Sequence, residues 1–328
     1  MALLDIKNLH VHYKVYGGLT RVLDGINLTV HEGEKVGLVG ETGCGKTTAM
    51  KTVLRVLPMP PAVVAGGEVL YKDKDILKMR QGAVQAIRGR EISMIFQDPM
   101  SSLNPVFTVA QQIEPVLRHA SGGQLAAKEV RERALNSLKD VALADPERLL
   151  NAYPTQLSGG MRQRVAIGMA LATDPKLLIA DEPGTALDVT IQAQVLRLLN
   201  DLVDQKQTSI ILITHSLGVV RENADRVYVM YAGNVVEMAP TRKLFAAPRH
   251  PYTQGLMASV PKLSGGGVSL GIPGRIPNYL NPPTGCRFHD RCPHVMEKCK
   301  VEKPPVFLVD GVGDNVKERH EVACFLYE

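Results

Sequence analysis

Alternating apolar and polar positions open the chain. Residues 3–12 and residues 22–31 follow a period of two, which is typical of β-strands with one exposed face. Residues 108–150 instead repeat their apolar positions with the period of an amphipathic helix. Continuous apolar runs of strand length predict buried strands at 36–39, 177–180 and 210–213. The pattern therefore predicts half-exposed strands first, and then buried strands with a helical stretch among them.

The buried strand at 36–39 is followed by Gly-Glu-Thr-Gly-Cys-Gly-Lys-Thr at 40–47, and a helix is predicted from 47 to 57. Strand, glycine loop and helix form the context of the phosphate-binding P-loop. Its glycines let successive backbone N–H groups face phosphate oxygens, at the positive end of a helix. Lys46 is expected to reach the β- and γ-phosphates and Thr47 to ligate Mg²⁺. The sequence therefore predicts a site for a nucleoside triphosphate with magnesium.

Polar side chains follow other predicted strands. The strand at 91–98 ends in Gln97, which taken alone is more typical of a surface residue but beside a nucleotide can bind Mg²⁺ or the attacking water. Asp181 and Glu182 end the next strand, where Asp181 is expected to hold Mg²⁺ through water and Glu182 to polarise the attacking water. His215 ends a third strand and could contact the γ-phosphate, although a lone histidine is usually structural.

A second anion-binding turn is predicted at Leu-Ser-Gly-Gly-Met-Arg-Gln-Arg, residues 157–164. Ser158 is a natural N-cap for a helix over 161–172, and the two glycines after it leave backbone N–H groups exposed. One nucleotide in one subunit does not need two such turns. The second turn is therefore interpreted as a site for a nucleotide held by another chain.

An aromatic contact for the nucleobase is expected on the strand upstream of the P-loop. Tyr13 is the candidate, because a ring there could stack on the base. Tyr16 competes for this role, and an ordinary strand tyrosine is the alternative for either residue.

These motifs, and the order in which they occur, resemble those of ABC-transporter ATPases. Residues 40–47 look like the Walker A motif, Gln97 like the Q-loop and residues 157–161 like the signature. Residues 177–182 look like Walker B, residues 186–188 like the D-loop and His215 like the H-loop. The resemblance covers residues 3 to about 240 and implies a RecA-like α/β P-loop fold, with an antiparallel β subdomain and a helical subdomain at about 100–165. It also implies a head-to-tail dimer, with ATP between one Walker A and the other subunit's signature.

The resemblance implies roles residue by residue. It implies that Mg²⁺ is bound by Thr47, Gln97 and Asp181. The catalytic residues would be Glu182, His215 and Gln97, and Asp188 would be the D-loop residue. The residues implied to contact the ATP of the partner subunit are Ser158, Gly159, Gly160 and Met161. The residues implied to bind this subunit's own ATP are Tyr13, Gly40, Glu41, Thr42, Gly43, Cys44, Gly45, Lys46, Thr47 and Thr48.

Residues 97–105, 250–253 and 276–299 resemble ATPases of oligopeptide, dipeptide and nickel importers. This implies a subunit that hydrolyses ATP to energise peptide import at the inner membrane. Its implied partners are a different second ATPase, two membrane permeases and an extracytoplasmic solute-binding protein. A nickel or oligosaccharide importer remains open, and a soluble ABC ATPase is a distant alternative. Gly184 and Cys44 depart from the family, which usually has Thr and Ser there.

Composition and charge indicate where in the cell the protein is expected to work. The 328 residues carry 38 basic and 33 acidic side chains, and a net charge of +5 is too small to argue for nucleic acid. No apolar run approaches the length of about 20 residues that spans a membrane, and Asp5 and Lys7 interrupt any signal peptide. We therefore expect a cytoplasmic protein that reaches the membrane through a partner.

Residues 241–328 are expected to form an irregular, proline-rich extension to the ATPase domain at 1–240, with few large apolar residues to fold around. Gaps of five, six and 24 residues separate its cysteines. This spacing differs from the two-residue gaps of common zinc ribbons. Four thiolates can hold a [4Fe–4S] cluster or tetrahedral zinc, and the subfamily resemblance favours the cluster. His289, His294 and His320 are spare ligands, better explained as surface residues. The predicted ligands are Cys286, Cys292, Cys299 and Cys324.

Overall fold

The computed structural model describes residues 2–98, 102–185, 187–260, 271–310 and 316–328. These residues divide into two compact units. The first unit contains Met1–His31, Lys35–Lys78 and Ile213–Glu328. The second contains Glu32–Glu34 and Met79–Leu212. No helix in the described part of the chain is long and apolar enough to cross a membrane.

The strands, in chain order, are β1 (Ala2–Val15), β2 (Gly18–His31), β3 (Lys35–Val39), β4 (Ala62–Tyr71), β5 (Lys74–Asp75), β6 (Ile92–Ile95), β7 (Leu177–Asp181), β8 (Ser209–Thr214), β9 (Arg226–Tyr231), β10 (Asn234–Pro240), β11 (Phe307–Asp310) and β12 (His320–Val322). The helices are α1 (Lys46–Val53), α2 (Gln81–Ile87), α3 (Val109–Ala120), α4 (Ala127–Asp140), α5 (Pro146–Leu150), α6 (Gly159–Leu171), α7 (Val189–Lys206), α8 (Leu217–Asn223), α9 (Thr241–Ala246), α10 (Pro251–Ala258) and α11 (Glu297–Val301). Short 3₁₀ turns connect some of these elements.

In the first unit, β1 pairs antiparallel with both β2 and β4, which gives a small sheet in the order β2-β1-β4-β5. This confirms the strands predicted at 3–12 and 22–31, which extend to a tight turn at Tyr16 and Gly17. The other strands of this unit follow the order β11-β12-β10-β9-β3, and β3 is parallel to β9. Strand β3 leads directly into the glycine loop, and α1 follows the loop.

The second unit contains β6, β7 and the first four residues of β8, in the order β8-β7-β6, with β6 and β7 parallel. All five residues of β7 are buried, as the continuous apolar run predicts. The region predicted as helical at 108–150 contains three helices, α3, α4 and α5. Thr108 caps α3 and accepts a hydrogen bond from the Gln111 N–H, which explains why this helix begins there.

Two predicted element ends are wrong. Helix α1 ends at Val53 rather than at residue 57, because Arg55 takes a left-handed backbone with φ of 51° that no helix continues through. Strand β6 ends at Ile95, so Phe96 and Gln97 lie beyond it and are exposed. The side chain of Gln97 therefore projects from a loop and not from the strand itself.

Residues 241–328 have few large apolar side chains, and two of these join the core of the first unit. Tyr252 and Phe288 are buried and pack against Tyr231 of β9, with ring centroids 4.6 and 5.0 Å from the Tyr231 centroid. The segment also adds β11 and β12 to the strands of the first unit. The extension thus folds against the core beside β9.

Candidate nucleotide-binding site

Two glycines of the loop after β3 are required by close contacts. A Cβ on Gly40 would lie 2.1 Å from the Met230 carbonyl oxygen, and a Cβ on Gly45 would lie 2.6 Å from Leu23 Cδ2. Both residues also have positive φ, 152° and 104°. Only glycine fits these positions without moving the neighbouring chain. The loop is therefore packed against its surroundings and does not hang free.

Lys46 lies at the start of α1 and is 6% exposed. Its ammonium group donates hydrogen bonds to the Gly40 carbonyl at 2.7 Å and to the Glu41 carbonyl at 3.1 Å. The positive charge is thereby held over the loop, beside the backbone that a phosphate would face. Thr47 and Thr48, in the first turn of the same helix, are half-buried.

Cys44 in this loop is fully buried. Burial raises the pKa of its thiol above the ordinary value, although the nearby Lys46 charge acts in the opposite direction. The side chain therefore remains a neutral thiol and behaves as a small apolar residue. Its backbone serves the loop, since the Cys44 N–H donates to the Glu41 carbonyl and the Cys44 carbonyl accepts from the Gly233 N–H.

The C-terminal extension touches this loop, a contact that the sequence does not indicate. Tyr279 donates its hydroxyl hydrogen to the Gly43 carbonyl at 2.8 Å, and the hydroxyl of Tyr252 accepts from the Glu41 N–H at 2.9 Å. Arg291 forms a two-bond ion pair with the Glu41 carboxylate. Burial raises the pKa of Tyr279, so its phenol keeps the proton that it donates. These three side chains were missed because more than 200 residues separate them from the loop and no local pattern marks them.

In the second unit, the structure brings Gln97 and Glu182 together. Glu182 follows β7 and is 8% exposed, while Asp181 closes the strand and is 2% exposed. Glu182 Oε2 accepts from Gln97 Nε2 at 3.0 Å and from the Thr185 hydroxyl at 2.9 Å. The Glu182 backbone has a φ of 48°, which is uncommon for a residue with a side chain and marks a constrained turn. Sequence reasoning missed Thr185, the second group that orients this carboxylate.

Ser158 caps α6 as predicted, and its hydroxyl accepts from the Met161 N–H at 3.3 Å. The helix begins at Gly159, two residues earlier than expected. A Cβ on Gly160 would lie 2.9 Å from Ile191 Cγ2 in the first turn of α7. Asp188 caps α7 and accepts from the Ile191 N–H at 3.0 Å. The signature turn and the Asp188 turn therefore lie side by side in this unit.

Gly184 lies against the side chain of Gln192. A Cβ at this position would lie 2.6 Å from Gln192 Cγ, so the half-buried Gln192 side chain occupies the space that a larger residue would need. Ala186 and residues 99–101 of the 97–105 stretch lie outside the described residues.

The remaining predicted contacts lie in the first unit. His215 follows β8 and is exposed. Tyr13 is half-buried on β1, between Thr20 of β2 and Ala62 of β4. Tyr16 is fully exposed in the turn after β1. Neither tyrosine has a contact that selects it as the base-stacking residue.

The four cysteines of the extension, all free thiols, line one small pocket. The Cys286 N–H donates to the Cys299 carbonyl at 2.8 Å, which places these two segments side by side. Burial raises the pKa of Cys286 to about 11, with smaller effects from the neighbouring thiols. In the described part of the chain, no group of three or more His, Cys, Asp or Glu side chains is arranged to hold a metal ion. His320, predicted at the surface, is instead buried and 2.7 Å from Glu237.

Two family models match the chain. One describes the ABC transporter and covers residues 23–185. The other describes the oligopeptide/dipeptide transporter C-terminal region and covers residues 236–299. The matched regions contain the glycine loop, the Glu182 turn and three of the four cysteines of the extension.

Curated relatives match over nearly the whole chain. A probable peptide ABC transporter ATP-binding protein, y4tR of Sinorhizobium fredii, is 48% identical over 98% of this chain and 94% of its own length. The oligopeptide transport ATP-binding protein OppD of Bacillus subtilis is 47% identical over 94% of this chain and 86% of its own. Among solved structures, a dimeric ATP-binding cassette, MJ0796, bound to ADP and Pi superposes with a TM-score of 0.65 and 30% identity, over 73% of this chain and 99% of that one. The chain therefore belongs to the ATP-binding subunits of ABC transporters, an ATPase family with the P-loop cassette fold.

Proposed function

We propose that this protein hydrolyses ATP to drive an importer of dipeptides or oligopeptides. The observation that carries the proposal is the identity of 48% and 47% with peptide transporter subunits, which extends through the C-terminal region. Their names favour peptides over nickel or oligosaccharides. Binding of ATP would close the subunits, and hydrolysis would reset the membrane partners.

The P-loop would bind the phosphates of ATP through its backbone N–H groups, with the first turn of α1. Lys46 would neutralise the β- and γ-phosphates, exchanging its present carbonyl partners for phosphate oxygens. Mg²⁺ would bind Thr47, Gln97 and Asp181, and Tyr13 or Tyr16 would stack on adenine. We assign the remaining ATP contacts to Gly40, Glu41, Thr42, Gly43, Cys44, Gly45 and Thr48.

Glu182 would polarise the water that attacks the γ-phosphorus. Its carboxylate is already held by Gln97 and Thr185, so the oxygen that accepts from the water would have a fixed direction. His215, exposed after β8, would contact the γ-phosphate. Orientation and charge do this work, since phosphoryl transfer needs little covalent help from the protein.

The signature residues would contact the ATP of a partner subunit. Ser158 and Gly159 are exposed at the start of α6, and the cap of Asp188 lies beside that turn. We propose a different second ATPase as the partner, together with two permeases and an extracytoplasmic solute-binding protein. The protein would then lie peripherally on the cytoplasmic face of the inner membrane. We also propose that the chain consists of an ATPase domain at 1–240, with a helical subdomain at about 100–165, and an extension at 241–328.

We also propose that the four cysteines hold one [4Fe–4S] cluster, with zinc as the alternative. Four thiols around one cavity supply the soft donor set that either group requires. Among the described residues these thiols do not form a ready-made metal-binding group, so the proposal rests on the donor set they supply. Bound there, the group would cross-link the segments at 286–299 and 324 and would serve structure, because ATP-driven transport needs no electron.

The test is solute-stimulated hydrolysis in the assembled transporter. The chain, its second ATPase and the permeases are reconstituted in vesicles, and the receptor is added empty or loaded with a peptide, nickel or an oligosaccharide. We expect the peptide-loaded receptor to stimulate hydrolysis, and a Lys46→Ala chain to lose that response. Stimulation by nickel or sugar alone, or full activity without membrane subunits, would contradict the proposal.

A further inference from the structure

Three described residues of the C-terminal extension form hydrogen bonds with the P-loop of the same chain, at Glu41 and Gly43. We infer that these contacts hold the loop in its nucleotide-binding form, and that Tyr279 and Arg291 are positioning residues for ATP. The inference rests on the proposed binding of ATP at this loop. It gives the extension a role at the nucleotide site, independent of any group bound by its cysteines.

Arg291 is held from every side. Its guanidinium donates to both carboxylate oxygens of Glu41, at 2.8 and 2.9 Å, and its side chain is only 4% exposed. The other donors reach the Pro273 carbonyl at 2.8 Å, the Ile272 carbonyl at 3.0 Å and the Tyr231 hydroxyl at 3.3 Å. A guanidinium has five N–H donors, so all of them have an acceptor here. Such a group fixes both the direction and the position of the Glu41 side chain.

Tyr279 fixes one peptide plane of the loop. Its hydroxyl donates to the Gly43 carbonyl, while the Cys44 N–H of the same peptide donates to the Glu41 carbonyl at 3.2 Å. A trans peptide is planar, so its carbonyl and N–H point in opposite directions. Bonds at both ends therefore prevent this peptide from flipping. Tyr279 is itself anchored, because its carbonyl accepts from the Arg21 N–H of β2 at 2.8 Å.

Tyr252 provides the third contact from within the core. Its ring is fully buried against Tyr231 and Phe288, and its hydroxyl accepts from the Glu41 N–H. The backbone N–H and the carboxylate of Glu41 are thus both held by the extension, beside the peptide fixed by Tyr279. A loop ordered before the ligand arrives loses less conformational entropy on binding, which strengthens affinity. Loosening it should weaken ATP binding more than it slows the chemical step.

The first test compares two tyrosines of the extension. Tyr279→Phe removes only the hydroxyl that contacts the loop. Tyr327→Phe is the matched control, since the Tyr327 hydroxyl also contacts a backbone carbonyl, that of Arg249, at 2.9 Å but away from the loop. ATP affinity is measured by equilibrium titration of the full chain, KM and kcat in the assembled transporter, and stability by urea unfolding.

We expect Tyr279→Phe to raise the Kd and KM for ATP about two- to tenfold, the net value of one hydrogen bond, with kcat nearly unchanged. The control should lose comparable stability without a change in ATP affinity. Equal ATP affinity in both variants would overturn the role of Tyr279 in positioning.

The second test approaches the ion pair from both ends. Arg291→Gln and Glu41→Gln should each weaken ATP binding, and the double variant should be little worse than either single one. Arg291→Lys keeps the charge but not the fork, so it should recover the affinity only in part. Additive effects, or full recovery with Lys, would contradict the inference. Lys46→Ala separates the two proposals: if it abolishes ATP binding while the Tyr279 and Arg291 variants bind normally, only the positioning role fails.

Discussion

Thr185 should set the turnover of this ATPase through its contact with Glu182. Thr185→Val keeps the shape of the side chain and removes the hydroxyl that donates to Glu182 Oε2 at 2.9 Å. Gln97 still donates to the same oxygen at 3.0 Å, so the carboxylate keeps one of these two bonds. The substitution therefore tests orientation of Glu182 without removing it.

The expected loss of turnover depends on how far Thr185 is exposed to water. A hydrogen bond to a charged group contributes about 1.5–3 kcal/mol when buried, but Thr185 is exposed and water can replace part of the lost contact. We therefore expect a loss of about 0.5–1.5 kcal/mol in transition-state stabilisation, which is about two- to tenfold in kcat. The KM for ATP should stay the same, because the loss falls on the attacking water and not on binding of the nucleotide.

The assay is steady-state phosphate release by the assembled transporter at saturating ATP. Thr185→Ser is the matched control, since it keeps the hydroxyl and should retain kcat near that of the wild type. A Val variant as active as the Ser variant would refute the claim that this contact orients Glu182. A raised KM with normal kcat would instead place Thr185 in nucleotide binding.

Three further predictions concern separate parts of the chain. Lys46→Ala should reduce ATP affinity by at least about tenfold in equilibrium titration, because a charge on the phosphates is lost, while circular dichroism stays unchanged. Cys292→Ser should lower the iron content of anaerobically purified protein and remove its brown colour; one zinc per wild-type chain, with no iron, would contradict the cluster. Burial lowers the pKa of His250 to about 4 from the ordinary value of 6.5, so the native state binds its proton less readily than the unfolded state, and about 3 kcal/mol of stability should be lost as the pH falls from 6.5 towards 4. Urea unfolding at pH 7 and pH 4.5 measures this loss, and it should shrink in His250→Asn, whose amide oxygen can still accept from the Tyr252 N–H.

Local patterns account for what could be predicted. The glycine loop, Ser158 and the carboxylates after β7 were found because each motif adjoins the element that positions it. Alternation and apolar runs predicted β1, β2, β3, β7 and β8, because the apolar residues within each of these strands mark the positions that are buried. Contact of Gln97 with Glu182 is consistent with two parallel strands that end at the same edge.

Long-range packing accounts for what was missed. The ion pair of Arg291 with Glu41 joins residues 250 positions apart, and no periodicity connects them. β11 and β12 have only four and three residues, too few for alternation to stand out beside prolines. The contact of Gly184 with the Gln192 side chain likewise becomes visible only when the turn is folded.

The central claim is that ATP binds to this chain and that Glu182 activates the water that cleaves it. The most direct measurement is the identity of the nucleotide left on the assembled transporter after incubation with Mg-ATP and rapid removal of free nucleotide. Wild-type transporter should yield mainly ADP, whereas Glu182→Gln should retain intact ATP, because the amide keeps the shape but cannot act as the base. Recovery of ADP from the Glu182→Gln transporter at the wild-type rate would contradict the account.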